Sequence, residues 1–168
     1  MYKKPVLVRT YNKIAKDYFL HRKDEKEGNE FLMMFVRRLR RRSLVLDLGC
    51  GPGIEAKKLI NKKLSVVGVD FSKKMIALAK RYEPRAKYRI ADIRRLPFGA
   101  EYFDGVYARA VLLHIPKKDM PRVINEIRRV LKQKGYVAIA IKKGRGQRII
   151  KAPHFGGNSR FYSFFMPK

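Results

Sequence analysis

The chain is short of cysteine, of acidic residues and of long apolar runs, and each shortage closes off a class of protein. A single cysteine, Cys50, allows no internal disulfide, and the histidines, His21, His114 and His154, are scattered without metal-ligand spacing, so no metal site is expected. No apolar run approaches the ~18–20 residues of a membrane span. The basic start Met1–Lys13 holds only Pro5–Val8 as an apolar stretch, too short for a secretory signal, and the reading is a soluble cytoplasmic protein. At 168 residues one domain is expected. Fourteen Asp and Glu face 41 Lys and Arg, and the surplus of 27 positive charges is more than an ion-pair network can use. A field of that size attracts polyanions, which makes RNA, ribosomes or DNA candidate partners; a solvated basic surface accounts for the same composition.

What is present is organised around Leu44–Gly53. An apolar run carrying Asp47 passes into Gly49, Gly51 and Gly53, and Ile54–Lys63 then has helical spacing. Strand, glycine turn and helix in succession form a cofactor-binding turn: the glycines let backbone approach a ligand, and the helix start offers unpaired N–H groups. A second apolar strand, Leu64–Asp70, ends in a carboxylate at about the 20-residue separation from the turn at which such folds present an acid to ribose hydroxyls. Ser72 caps the following helix, with Met75, Ile76, Leu78 and Ala79 inward. A third strand, Lys87–Ala91, runs into Asp92-Ile93. Three carboxylates, Asp47, Asp70 and Asp92, thus fall along the carboxyl edge of one expected parallel sheet, where such folds bind ligands.

The turn Asp47-Leu48-Gly49-Cys50-Gly51-Pro52-Gly53 resembles the first motif of class I S-adenosylmethionine-dependent methyltransferases, Asp/Glu-x-Gly-x-Gly-x-Gly. A nicotinamide-binding turn reads Gly-x-Gly-x-x-Gly and fits less well. Asp92-Ile93 with Arg94-Arg95-Leu96-Pro97-Phe98, then Phe103-Asp104-Gly105-Val106 and Leu112-Leu113-His114-Ile115-Pro116, look like later motifs of the same family. The resemblance spans Tyr11 to Ile141 and implies S-adenosylmethionine as cofactor, bound by Asp47, Gly49, Gly51, Gly53, Asp70, Phe71, Met75, Asp92, Ile93, Arg109 and Ala110. His114 is the candidate general base, or else orients its loop. Ala108-Arg109-Ala110-Val111 replaces the Asn/Asp-Pro-Pro-Tyr/Phe tetrapeptide of amino-methylating relatives, and Cys50 lies in the cofactor turn, so pyrimidine carbon-5 chemistry through a cysteine nucleophile is disfavoured too.

The expected fold is α/β, a Rossmann-like doubly wound sheet of five parallel strands in the order 3-2-1-4-5 with flanking helices. Two N-terminal helices precede it, Val6–Arg22 and Asn29–Arg42. Residues 1–42 are read as a helical lid, with Tyr11 and Tyr18 placed to face ligand, 43–141 as the core, and 142–168 as a basic and aromatic tail. A helix over Lys118–Lys134, ended by Gly135, leads to the fifth strand, Tyr136–Ile141. The last helix and strands six and seven of the usual seven-stranded sheet are expected to be absent. That leaves the edge at 136–141 for the tail, or a second chain, to cover. Methyl transfer to an oxygen or nitrogen is implied, with RNA slightly ahead of a small metabolite because of the charge and Arg37, Arg38, Arg40, Arg41 and Arg42 as a phosphate-contact patch. The alternative is a non-catalytic methyltransferase-like module that binds RNA or a partner chain.

Overall fold

A computed structural model of the protein describes residues 4–25, 29–152 and 157–166; His154 lies outside them. Helix α1 (Lys4–Arg22) buries Leu7, Ile14 and Ala15, the stripe its spacing predicts. Helix α2 (Asn29–Val36) is shorter than expected. The turn bonds Arg38 N–H to Phe35 O and Leu39 N–H to Val36 O tighten the chain there, and the arginines that follow lie in turns.

Strands β1 (Leu44–Leu48), β2 (Ser65–Asp70), β3 (Lys87–Ile90), β4 (Phe103–Arg109) and β5 (Leu131–Ala140) form one parallel sheet in the order β3-β2-β1-β4-β5, as expected. Helix α3 (Ile54–Asn61) joins β1 to β2, α4 (Lys73–Tyr82) joins β2 to β3, and α5 (Met120–Val130) joins β4 to β5. One face of the sheet packs Val45, Val66 and Tyr107 against α2 and α3; the other packs Leu46, Val67, Val106 and Ala108 against Val123, Ile127 and Val130 of α5. Both faces of the central strands are therefore apolar, as a parallel sheet between helices requires.

Helix α2 is fixed by a small residue on the strand beneath it. A Cβ on Gly105 would come within 2.7 Å of the Phe35 ring, so the glycine is what lets that ring approach β4 this closely. Phe35 also packs at 5.5 Å from the ring of Tyr107. Truncating Phe35 to alanine should empty this contact and cost about 3–5 kcal/mol, read as a lower denaturation midpoint with an unchanged slope.

The α5–β5 junction corrects the expected boundary. Helical spacing continues on paper to Lys134, but α5 stops at Val130 and Leu131 is already paired with Phe103 of β4. The next pairing is Gly105 with Tyr136, so Lys132–Gly135 bulges out of the ladder. Lys134 turns there in the left-handed region, and a Cβ on Gly135 would meet the Leu131 side chain at 2.8 Å.

The tail, read as a basic and aromatic segment, forms an antiparallel hairpin, β6 (Gln147–Ala152) with β7 (Asn158–Ser163), as a separate two-stranded sheet. It does not extend the main sheet. Tyr162 and Phe164 pack on Leu113, and Ser163 Oγ donates to Ile115 O at 2.7 Å, which seats the hairpin on the loop after β4. Tyr136 and Val137 of β5, and Ile141 just after it, stay exposed. No helix among the described residues is long and apolar enough to cross a membrane.

Candidate functional site at the carboxyl edge of the sheet

The ends of β1, β2 and β4 converge on one cleft, lined by Gly49, Gly51, Asp70, Phe71, Met75, Arg109, Ala110, Val111 and His114, with Tyr11 and Tyr18 contributed by α1. A second chamber shares Gly49, Asp70, Phe71, Val111 and His114 and adds Asp92, Ile93 and Ile115. The structure thus gathers the sequence-predicted residues around one connected space. Gly53 sits behind it against Ala79 of α4, and Asp47 lies under the turn.

Gly49, Gly51 and Gly53 all have positive φ, 73°, 51° and 84°. Around Gly49 the room is also gone, since a Cβ there would lie 2.4 Å from Val111 Cγ2. Ala110, at the end of β4, holds φ 57° without being glycine. Strain of this kind is tolerated where the surrounding structure over-determines the backbone, and here it turns the chain into the cleft wall.

Asp70 anchors the turn. Its carboxylate accepts from Gly51 N–H at 3.1 Å and Ser72 N–H at 2.8 Å. Burial nevertheless raises its carboxyl from the ordinary range to about 6, only partly offset by these backbone donors. Asp47 is 2% exposed and pushed up further by burial, then by Glu55 and Asp70; its Oδ2 has no hydrogen-bond partner. Glu55, in the first turn of α3, accepts from Arg109 at 3.0 Å. Three of the chain's fourteen acids, Asp47, Asp70 and Glu55, therefore lie close enough to act on one another, with Arg109 and Lys58 paired to Glu55. In so basic a protein this spot suits a ligand carrying positive charge and hydroxyl donors, and the orphaned Asp47 oxygen is an acceptor in wait.

Asp92 reaches the second chamber with its carboxylate gripped by Arg94, Nη2 to Oδ2 at 2.8 Å, and Arg94 also bonds Asp119. That grip fixes the carboxylate's orientation beside buried Ile93. Cys50 is buried and its thiol raised by desolvation first, then by Asp47 and Asp70, so it is inert as a nucleophile.

His114 is held at both ring nitrogens. Nδ1 is 2.7 Å from Phe161 O of β7, so Nδ1 carries the proton, and Nε2 accepts from the Tyr11 hydroxyl at 2.6 Å. Burial, reinforced by Arg160 and Lys142, pushes its pKa down to about 4 against the pull of the Phe161 carbonyl. The imidazole is neutral at physiological pH, with its acceptor nitrogen turned into the cleft. Tyr11 stacks edge-on against Tyr18, Phe71 and His114 and so closes the cleft from above. Asn12 pins this helix, accepting from Ser72 Oγ at 2.7 Å and Lys74 N–H at 3.2 Å. Of the residues read as a lid, α1 alone reaches the cleft; α2 packs on β4. Glu55, Asn12 and the Phe161 carbonyl carry no sequence signal beyond Glu55's place in the first turn after Gly53.

Residues 46–139 match the family model described as a methyltransferase domain. Methyltransferase GfsG of Streptomyces halstedii is 34% identical over 103 residues, 57% of this chain and 36% of that protein. Malonyl-[acyl-carrier protein] O-methyltransferase of Legionella pneumophila is 33% identical over 135 residues, 76% of this chain and 46% of that protein. The chain thus spans between about a third and a half of the length of these curated relatives. Among solved structures, the 1,6-didemethyltoxoflavin-N1-methyltransferase of Burkholderia thailandensis, with bound 1,6-didemethyltoxoflavin and S-adenosylhomocysteine, has a TM-score of 0.76 at 22% identity, covering 96% of this chain and 71% of its own. The family match takes in the glycine turn and all three strand-end carboxylates, which is to say the whole carboxyl edge just described: the chain belongs to the class I S-adenosylmethionine-dependent methyltransferases.

Proposed function

We propose that the chain transfers a methyl group from S-adenosylmethionine to an oxygen or nitrogen of a small-molecule acceptor at the carboxyl edge of the sheet. The observation that carries this reading is Asp70, an acceptor-only carboxylate held by two backbone N–H groups at the mouth of the glycine turn, with Asp47 and Glu55 behind it. Asp70 takes the ribose diol, the unpartnered Asp47 oxygen accepts a further hydrogen bond, and Asp92 with Ile93 borders the adenine. The activities of the relatives, O- and N1-methylation, favour those acceptor atoms. The arginines that argued for an RNA acceptor lie away from the cleft, before β1.

The cofactor supplies a methyl already activated on a sulfonium, so the protein's work is alignment and exclusion of water. Tyr11 and α1 close the cleft. His114 offers Nε2 to the acceptor: an O–H or N–H that replaces the Tyr11 hydroxyl there is held by its proton, with its lone pair free for the methyl carbon. With a pKa near 4, Nε2 orients first and takes the proton only as the new bond forms.

Supplying methyl-tritiated S-adenosylmethionine with a panel of small carboxylic acids, phenols and amines, and in parallel with single-stranded RNA, should label small molecules. Label in RNA alone would overturn the acceptor reading. His114→Asn should lower kcat about 100-fold with KM for the cofactor unchanged. A pH dependence follows from Asp70, which must be ionised to accept from the diol: its carboxyl gains a proton as the pH falls through about 6. The affinity for S-adenosylhomocysteine should therefore hold above pH 7 and fall about tenfold per pH unit below 6, a slope that Asp70→Asn should remove.

A further inference from the structure

The uncompensated charge is not spread evenly. Arg37, Arg38, Arg40, Arg41 and Arg42 are all exposed, and none makes an ion pair among the described residues. Leu39 in their midst packs toward Gly105, pinning the turn beneath the start of the sheet. Arg42 N–H donates to Lys63 O at 2.7 Å, which joins the arginine turn to the one carrying exposed Lys62 and Lys63. Asp104 ties in a third connection: one oxygen accepts from Leu44 N–H at 2.7 Å and the other from Lys132 at 2.8 Å. Lys134 and Arg128 stand exposed beside Lys132 along a groove under the β5 bulge. Three separate connections thus bring their cations to the amino edge of the sheet, at the far end of β1 from the cofactor cleft; its five residues span roughly 16 Å.

We propose that this amino edge is a docking face for the phosphodiester backbone of a single-stranded nucleic acid, occupied independently of the cofactor cleft. The cations at this edge outnumber its acids, Glu101 and Asp104, and repel one another; a polyanion relieves that repulsion while releasing its counterions. Two aromatic side chains favour a nucleic acid over other polyanions. Tyr102, which precedes β4, is 49% exposed, and Tyr136, which follows the bulge, is 43% exposed, so both present rings to solvent at the same edge as the cations. Rings interleaved with cations are what stacks unpaired bases while holding their phosphates.

The test is fluorescence anisotropy of labelled 20-nucleotide single-stranded RNA and DNA against the full chain across 50–300 mM KCl, with inorganic polyphosphate as competitor. Arg38→Gln, Arg40→Gln and Arg41→Gln together should weaken binding at least tenfold at 100 mM and reduce the salt slope by about 2. Lys13→Gln, Lys16→Gln and Lys73→Gln, three exposed cations on α1 and α4, should change both much less. Tyr136→Ala should weaken binding several-fold with the slope unchanged, and S-adenosylhomocysteine should bind the arginine variant as it binds the wild type. RNA and DNA binding alike assigns the shared backbone as ligand; RNA alone adds a contact to the ribose 2′-hydroxyl. Equal losses from the two triple variants, competition between oligonucleotide and S-adenosylhomocysteine, or polyphosphate binding unaffected by the arginine changes yet stronger than either oligonucleotide would overturn the proposal.

Discussion

At pH 7.5, Asp70→Asn is expected to weaken S-adenosylhomocysteine binding by about 100-fold without lowering Tm. Two hydroxyl donors to one carboxylate, at ~1.5 kcal/mol or more each, amount to roughly 3 kcal/mol, which is about two orders of magnitude in Kd. The stability side has the opposite sign. Because the folded-state pKa is raised to about 6, the favourable contribution of this group is complete only below its unfolded pKa and is lost as the pH rises through 6. Above that, the folded protein bears a half-buried charge that water would hold more cheaply. Asparagine keeps one oxygen for a backbone N–H and leaves the other N–H without its acceptor, a loss that removal of the charge offsets at pH 7.5. Calorimetric titration and a thermal melt on the same sample separate a binding residue, which loses affinity alone, from a scaffold residue, which loses both.

Gly49→Ala should instead lose both. Its φ of 73° already costs an L-residue about 1 kcal/mol, and the new methyl would lie 2.4 and 2.5 Å from Val111 Cγ2 and Cβ. Val111 is buried at the start of the loop that carries His114, so it cannot move without shifting that loop across the cleft. Overpacking of this kind adds ~1–3 kcal/mol. A drop of about 2–4 kcal/mol in unfolding free energy, with S-adenosylhomocysteine binding reduced beyond detection, is the expected result. Gly99→Ala is the control, since nothing lies within 4 Å of a Cβ there.

The parts of the site that were legible are those the chain writes locally. The first two strands are apolar runs that carry a carboxylate at or next to their ends, the turn is spelled by its glycines, and Ser72 announces a helix that it does cap, accepting from Met75 N–H. These signals lie within a few residues of one another, and the strand order followed from them together with the family resemblance. What escaped depends on contacts between distant segments. Tyr11 and His114 are 103 residues apart, and the Phe161 carbonyl that sets the imidazole's tautomer lies 47 residues beyond the histidine. A backbone carbonyl has no side-chain signature, and a tail rich in basic and aromatic residues does not advertise a hairpin whose anchor is a loop after β4.

Boundaries failed where tertiary pairing overrode periodicity. Leu131 continues the apolar stripe of α5, yet pairing with Phe103 draws it into the sheet, and the bulge that follows needs Gly135. The arginines after Val36 suit a helix C-terminus by charge, but the chain must turn there to enter β1, and it delivers them to the amino edge instead. Net charge was readable from composition; that it gathers away from the carboxylate-lined cleft was not, because only the fold assigns connections to one edge or the other.

The most direct measurement is a calorimetric titration of the wild-type protein with S-adenosylhomocysteine at pH 7.5. Saturable binding with one site per chain is the predicted result, as Asp70, the glycine turn and the orphaned Asp47 oxygen require. A well-folded protein that returns no saturable heat would contradict the assignment of the carboxyl edge as a cofactor site.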